Sequence, residues 1–132
     1  MYNSPHQIYK QSSVQTANGG QLIIMLYDGA IRFTKAGIEG IHTRDYGKTN
    51  NNLKKAQAII HELIASLDYE YEISNNLKQI YEYLLHQLIQ SNMKKDSSLA
   101  SEVIIHLEEL REVWKQIIKG NASMVTHAET GV

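Results

Sequence analysis

Cysteine is absent from this sequence, and proline occurs once, at Pro5. Without cysteine there is no disulfide framework, no thiolate zinc site and no cysteine nucleophile. With no proline after position 5, no later segment is barred from helix by a missing amide hydrogen. Neither sign of charge dominates: thirteen Lys and Arg face fourteen Asp and Glu for a net charge of -1. No segment gathers a basic run, so a phosphate-neutralising surface is not expected and nucleic acid is not an expected partner. No stretch stays apolar long enough to span a bilayer, and Met1-Tyr2-Asn3-Ser4-Pro5-His6-Gln7 has neither a basic nor an apolar leader region. The expectation is a soluble, cytoplasmic protein without a membrane partner.

What remains is helical periodicity. At 132 residues the chain has the length of one domain with a real core. Over residues 22–41, Leu22, Leu26, Phe33 and the small Gly29 and Gly40 fall on one helical face. A turn or cap follows around Thr43, Asp45 and Gly47; Asp45 could equally start the second helix and leave Asn50-Asn51-Asn52 inside it. The second segment carries Leu53, Ala56, Ile60, Leu63 and Leu67 at alternating spacings of three and four. The third repeats this with Leu77, Tyr81, Leu84, Leu88 and Ser91, after Ser74 as candidate N-cap. The fourth does so with Val103, Leu107, Leu110, Trp114 and Ile117, opened by Asp96 and stopped by Gly120 after Lys119.

Short connections at residues 68–73 and 93–95 make the last three segments sequential antiparallel neighbours. The fold class predicted is therefore all-α, an antiparallel up-and-down four-helix bundle. Residues 1–18 form a short N-terminal cap segment, residues 19–120 the bundle, and residues 121–132 a flexible tail.

The first helix carries a second apolar stripe. Ile24, Tyr27, Ile31 and Ile38 project almost opposite Leu22, Leu26 and Phe33. Either these side chains are partly exposed, or the surface is covered by the N-terminal segment with Ile8, Tyr9 and Val14, by a partner, or by each in turn. Ile59, Ile80, Tyr83 and Ile105 flank the other seams. The eight tyrosines, against one Phe and one Trp, favour positions where a ring is dry and its hydroxyl wet.

Catalytic patterns are missing. A dinuclear metal bundle needs Glu-x-x-His pairs, whereas Glu82 with His86 and Glu102 with His106 are spaced by four, so no metal or other cofactor is expected. His61-Glu62-Leu63-Ile64-Ala65-Ser66 is similar to the histidine phosphotransfer signature His-x-Leu-Lys-Gly-Ser. Ile64 and Ala65 replace the Lys that holds the phosphoryl group and the Gly that admits it. Gly19-Gly20 lacks the spacing of a phosphate loop, and no carboxylate is coupled to a nucleophile. A non-enzymatic binding protein is expected, and the residues alone fit a generic adaptor that takes an amphipathic helix into a groove.

A further set of residues is more specific: Met25-Leu26-Tyr27-Asp28-Gly29-Ala30, Lys55-Ala56-Gln57, Glu62-Leu63, Ser66-Leu67-Asp68, Asn76-Leu77, Tyr81-Glu82-Tyr83, Leu88, Asn92 and Val113-Trp114-Lys115. In this order and spacing the set resembles the flagellar secretion chaperone family (FliS), over about residues 9–118. Two departures are the Asn18-Gly19-Gly20 entry to the first helix, where the family often has Pro, and Tyr69-Glu70-Tyr71-Glu72-Ile73, which lacks a Gly-Gly found in many members.

The resemblance implies a cytoplasmic chaperone that binds the disordered C-terminal segment of flagellin, blocks premature polymerisation and delivers the subunit to the flagellar type III export gate. A gate component is then a second possible partner, and the chaperone itself is a monomer or weak dimer. Ile8, Tyr9 and Val14 would cover part of the groove and move aside for flagellin. The expected contact residues are those three with Ile24, Tyr27, Ile31, Ile59, Ile80, Tyr81 and Tyr83. Tyr81 enters through the resemblance alone. Leu63, Leu84, Leu110 and Trp114 are expected in the core.

Overall fold

The computed structural model describes the backbone of residues 19–130 and the side chains of residues 19–120. Four helices are present: α1 (Gly19–His42), α2 (Tyr46–Ala65), α3 (Ile73–Lys94) and α4 (Ser97–Thr130). Ile8, Tyr9 and Val14 lie outside the described residues.

The helices pack in a ring, α1 on α2, α2 on α3, α3 on α4 and α4 back on α1. Each neighbouring pair is antiparallel. The end of α3 meets the start of α2 where Asn92 Nδ2 donates to Asn50 Oδ1 at 2.9 Å. The start of α4 meets the end of α1 at His42 and Ser97, and further along Arg111 pairs with Asp28 at 2.7 Å. On α3 and α4, Gln87 near the end of one reaches Glu102 near the start of the other. The up-and-down bundle is the observed architecture.

Local chemistry sets the boundaries. Asp45 precedes α2 and its Oδ1 accepts from Lys48 N at 3.1 Å, satisfying a first-turn donor. The asparagine run thus lies inside α2. Asp96 does the same for α4, accepting from Ser98 N at 2.9 Å. Ser74 does not cap α3. It lies inside the helix, and its hydroxyl donates to Asp68 O at 2.6 Å, pinning the preceding connection instead. Gly120 does not end α4, whose backbone stays helical to Thr130. A single glycine costs a helix only about 1 kcal/mol relative to alanine, and no proline follows to enforce a stop.

The core is built from the three seams and from α1. Leu53, Ala56, Ile60 and Leu63 of α2, Tyr81, Leu84 and Leu88 of α3, and Val103 and Leu107 of α4 are all fully buried. Leu110 and Trp114 pack against this core while only half-buried, and Ile117 is exposed. The seam of α4 therefore leaves the core as the helix runs on.

Both stripes of α1 are largely covered, so of the two alternatives partial exposure does not hold for Tyr27 and Ile31. Tyr27 and Ile31 are buried, while Ile24 and Ile38 are half-buried. The reason is that α1 is gripped by α2 on one side and α4 on the other, so its buried arc is wide. The glycine stripe meets α2 at very close range. A Cβ on Gly40 would lie 2.7 Å from Thr49 N and 2.8 Å from Asp45 O, so only glycine fits there.

Candidate functional site

The joint between α3 and α4 opens into a trough of about 610 Å³. Asn76, Gln79, Ile80 and Tyr83 form the α3 wall. His106, Glu109, Leu110 and Val113 form the α4 wall. The α3 positions 76, 80 and 83 are spaced four and three apart, as are 106, 109 and 113 of α4 in the order three and four. Each helix thus presents a second stripe beside its core seam. Ile80 is 39 % exposed, Tyr83 46 % and Val113 54 %, large apolar surfaces that share one concavity.

Helical register extends the trough toward one end of the bundle. Exposed Ile73 stands seven residues before Ile80, and exposed Ile117 seven after Leu110, each on the same face as its partner. From Ile73 to Tyr83 the trough runs about 15 Å, roughly three helical turns.

The other end is closed by a polar group of side chains. Tyr83 Oη donates to Glu102 Oε1, and Gln87 Nε2 donates to Glu102 Oε2 at 2.9 Å. His106 Nε2 lies 3.4 Å from the same carboxylate, with the imidazole edge-on to the Tyr83 ring at 6.2 Å. The hydrogen bond from Tyr83 holds the Glu102 carboxyl below its ordinary value, and Gln87 adds to this. The same bond pushes the Tyr83 phenol up. The group fixes the Tyr83 ring as a wall of the trough.

A second polar group lies inside the bundle. The hydroxyls of Tyr27 and Tyr81 are 2.5 Å apart, and Trp114 Nε1 donates to Tyr27 Oη at 3.1 Å. Burial, first of all, raises both phenols above their ordinary value, so both stay protonated. Each hydroxyl is thereby paired within the interior, as a buried polar group must be.

These positions sort the expected contact residues. Ile80 and Tyr83 come together in the trough. Tyr27, Ile31 and Tyr81 are buried and do not join Ile80 and Tyr83 in the trough. Tyr81 looks inward because it pairs with Tyr27 across the bundle. Ile59 is half-buried in the α1–α2 joint, 3.0 Å from where a Gly29 Cβ would be, and Ile24 is half-buried on α1. Sequence reasoning missed Asn76, Gln79, His106, Glu109 and Val113. Their signal was the apolar Ile73, Ile80 and Val113 just beside the seams.

Among the described residues no three His, Asp or Glu side chains are grouped to hold a metal ion. Nor, among them, is any helix long and apolar enough to cross a membrane. An open apolar trough walled by two helices is the kind of groove into which amphipathic helices dock.

The family model described as flagellar protein FliS matches residues 1–121. The chain belongs to the FliS family of flagellar proteins. It is 37 % identical over 116 residues to the flagellar secretion chaperone FliS of Bacillus subtilis, covering 88 % of this chain and 87 % of that one. To the flagellar secretion chaperone FliS of Salmonella typhimurium it is 36 % identical over 114 residues, 84 % of each chain. The Vibrio cholerae chaperone of the same name is 30 % identical over 132 residues, 96 % of each.

Proposed function

We propose that this protein is a cytoplasmic flagellar export chaperone that holds the C-terminal segment of flagellin, keeps it from assembling and presents it to the type III export gate. It works without catalysis or cofactor, as a monomer or weak dimer. The observation that carries the reading is the trough between α3 and α4, an exposed apolar concavity in a bundle whose relatives are named as secretion chaperones.

The trough favours a segment that docks as a helix. Its walls are helices whose backbone amides and carbonyls are already bonded within them, so an extended strand would find no ladder to join. A helical segment satisfies its own backbone and needs only to lay an apolar stripe on Ile80, Tyr83, Leu110 and Val113. Ordering such a segment costs several kcal/mol, which keeps the complex releasable.

The test is isothermal titration of the protein with a peptide covering the C-terminal segment of the host's flagellin. The expected result is saturable one-to-one binding with a large negative heat-capacity change, the mark of apolar burial. Absence of heat at concentrations corresponding to about 6 kcal/mol of binding overturns the reading.

A further inference from the structure

The charged side chains that line or close the trough are acidic. Glu109 stands on the α4 wall, and Glu102 closes the Tyr83 end. At the opposite end the connection before Ile73 carries Asp68, Glu70 and Glu72, all exposed. The remaining polar lining is amide or imidazole, from Asn76, Gln79 and His106, and no Lys or Arg lines the trough.

Two neighbouring cations are engaged elsewhere, and Lys115 and Lys119 are exposed further along α4. Arg111 turns toward α1 and pairs with Asp28 at 2.7 Å. Lys78 pairs with Glu82 at 3.8 Å and lies over the Tyr69 ring.

The acids differ in how far they are already satisfied. Glu102 accepts from Tyr83 and Gln87 and has His106 beside it. Glu109, with its side chain 69 % exposed, has His106 Nδ1 at 3.9 Å, a distance too long for a hydrogen bond. Its carboxylate therefore keeps most of its acceptor capacity for a group that arrives from outside. An apolar stripe alone does not fix where a docked helix stops along its axis, whereas charges at defined positions do.

We infer that the trough selects a segment whose apolar face is flanked by Lys or Arg, one of them meeting Glu109 and another the acidic connection at residues 68–72. The inference rests on the reading that the trough takes an apolar segment, and it adds the charge pattern and register of that segment. Basic flanks also speed encounter with an acidic rim at low ionic strength.

The experiment uses two synthetic amphipathic helices with one shared Leu/Ala face, one flanked by Lys and the other by Glu. Both are titrated into the full-length protein, with the flagellin peptide run in parallel. The Lys-flanked helix is expected to bind about tenfold more tightly, since each exposed pair adds a modest amount and several act together. The preference shrinks in about 0.5 M salt, where the screening length falls to a few ångströms. E109K is expected to reverse the order of the two helices while its circular dichroism stays that of the wild type. E112K, on the outward side of α4, serves as the control and leaves the order unchanged.

Equal affinity for the two helices, or binding of neither, overturns the inference. If the flagellin peptide binds while the model helices are not distinguished, the chaperone reading stands and the charge rule falls. If the Lys-flanked helix is preferred while the flagellin peptide does not bind, the charge rule stands and the flagellin reading falls.

Discussion

Trp114 of α4 donates its indole N–H to the hydroxyl of Tyr27 on α1 across 3.1 Å, and that hydroxyl is in turn paired with Tyr81 of α3. Three of the four helices are thereby joined through one oxygen atom. The indole can only donate, so the Tyr27 oxygen accepts from it and its own proton is available to Tyr81. Apolar packing tolerates small slips of one helix along another; a chain of directional bonds does not.

Removing the central oxygen takes from Trp114 and Tyr81 the partner that joins them, leaving only what the two make directly with each other. Tyr27→Phe is expected to cost about 1–3 kcal/mol, because the Trp114 N–H and the Tyr81 hydroxyl lose their partner in the interior. Tyr81→Phe leaves the Trp114–Tyr27 bond in place and should cost about 1 kcal/mol. The double variant should cost less than the sum of the two. Urea unfolding of the three variants measures this, and strict additivity would show that the hydroxyls are not coupled.

Trough and core should separate under mutation. Ile80→Asp and Val113→Asp alter exposed side chains and should shift stability by no more than about 0.5 kcal/mol. Affinity for the flagellin peptide should fall by about tenfold or more in each, since a charge is placed on the surface that the ligand must dry. Leu63→Ala and Leu84→Ala should do the opposite, losing about 2–5 kcal/mol of stability to a cavity while the folded fraction still binds. Denaturation and titration of the same four preparations give both readouts.

Two glycine-to-alanine changes should have opposite signs. At Gly40 the new methyl would press on backbone atoms of Thr49 and Asp45 that cannot move independently, and a loss of about 1–3 kcal/mol is expected. At Gly120 nothing lies within 4 Å, and the residue sits inside α4. Gly120→Ala should therefore stabilise the helix by up to about 1 kcal/mol. Thermal melts of the two variants check the signs directly.

The bundle was legible in the sequence because its signal is repeated. The spacing of Leu53, Ala56, Ile60 and Leu63 recurs on α3 and α4, and short connections leave few ways to arrange three such seams. The trough was only half legible. Ile80 and Tyr83 stood out as apolar residues beside a seam, but nothing in a single helix tells whether a neighbour covers them. Tyr27 and Ile31 show the converse difficulty. Their stripe lies nearly opposite Leu22 and Phe33 on α1, and burial of both follows only once α2 and α4 are known to flank that helix. Ser74 was a plausible cap by type, yet its hydroxyl found a carbonyl six residues back, a choice made by the loop rather than by the helix.

The position of Trp114 also makes the molecule report on itself. It is the sole tryptophan of the chain, its ring is half-buried, and one helical turn separates it from both Leu110 and Ile117. Loss of the core would expose the indole to water and move its emission to longer wavelength. One unlabelled chromophore thus distinguishes the folded bundle from the unfolded chain by a single spectral shift.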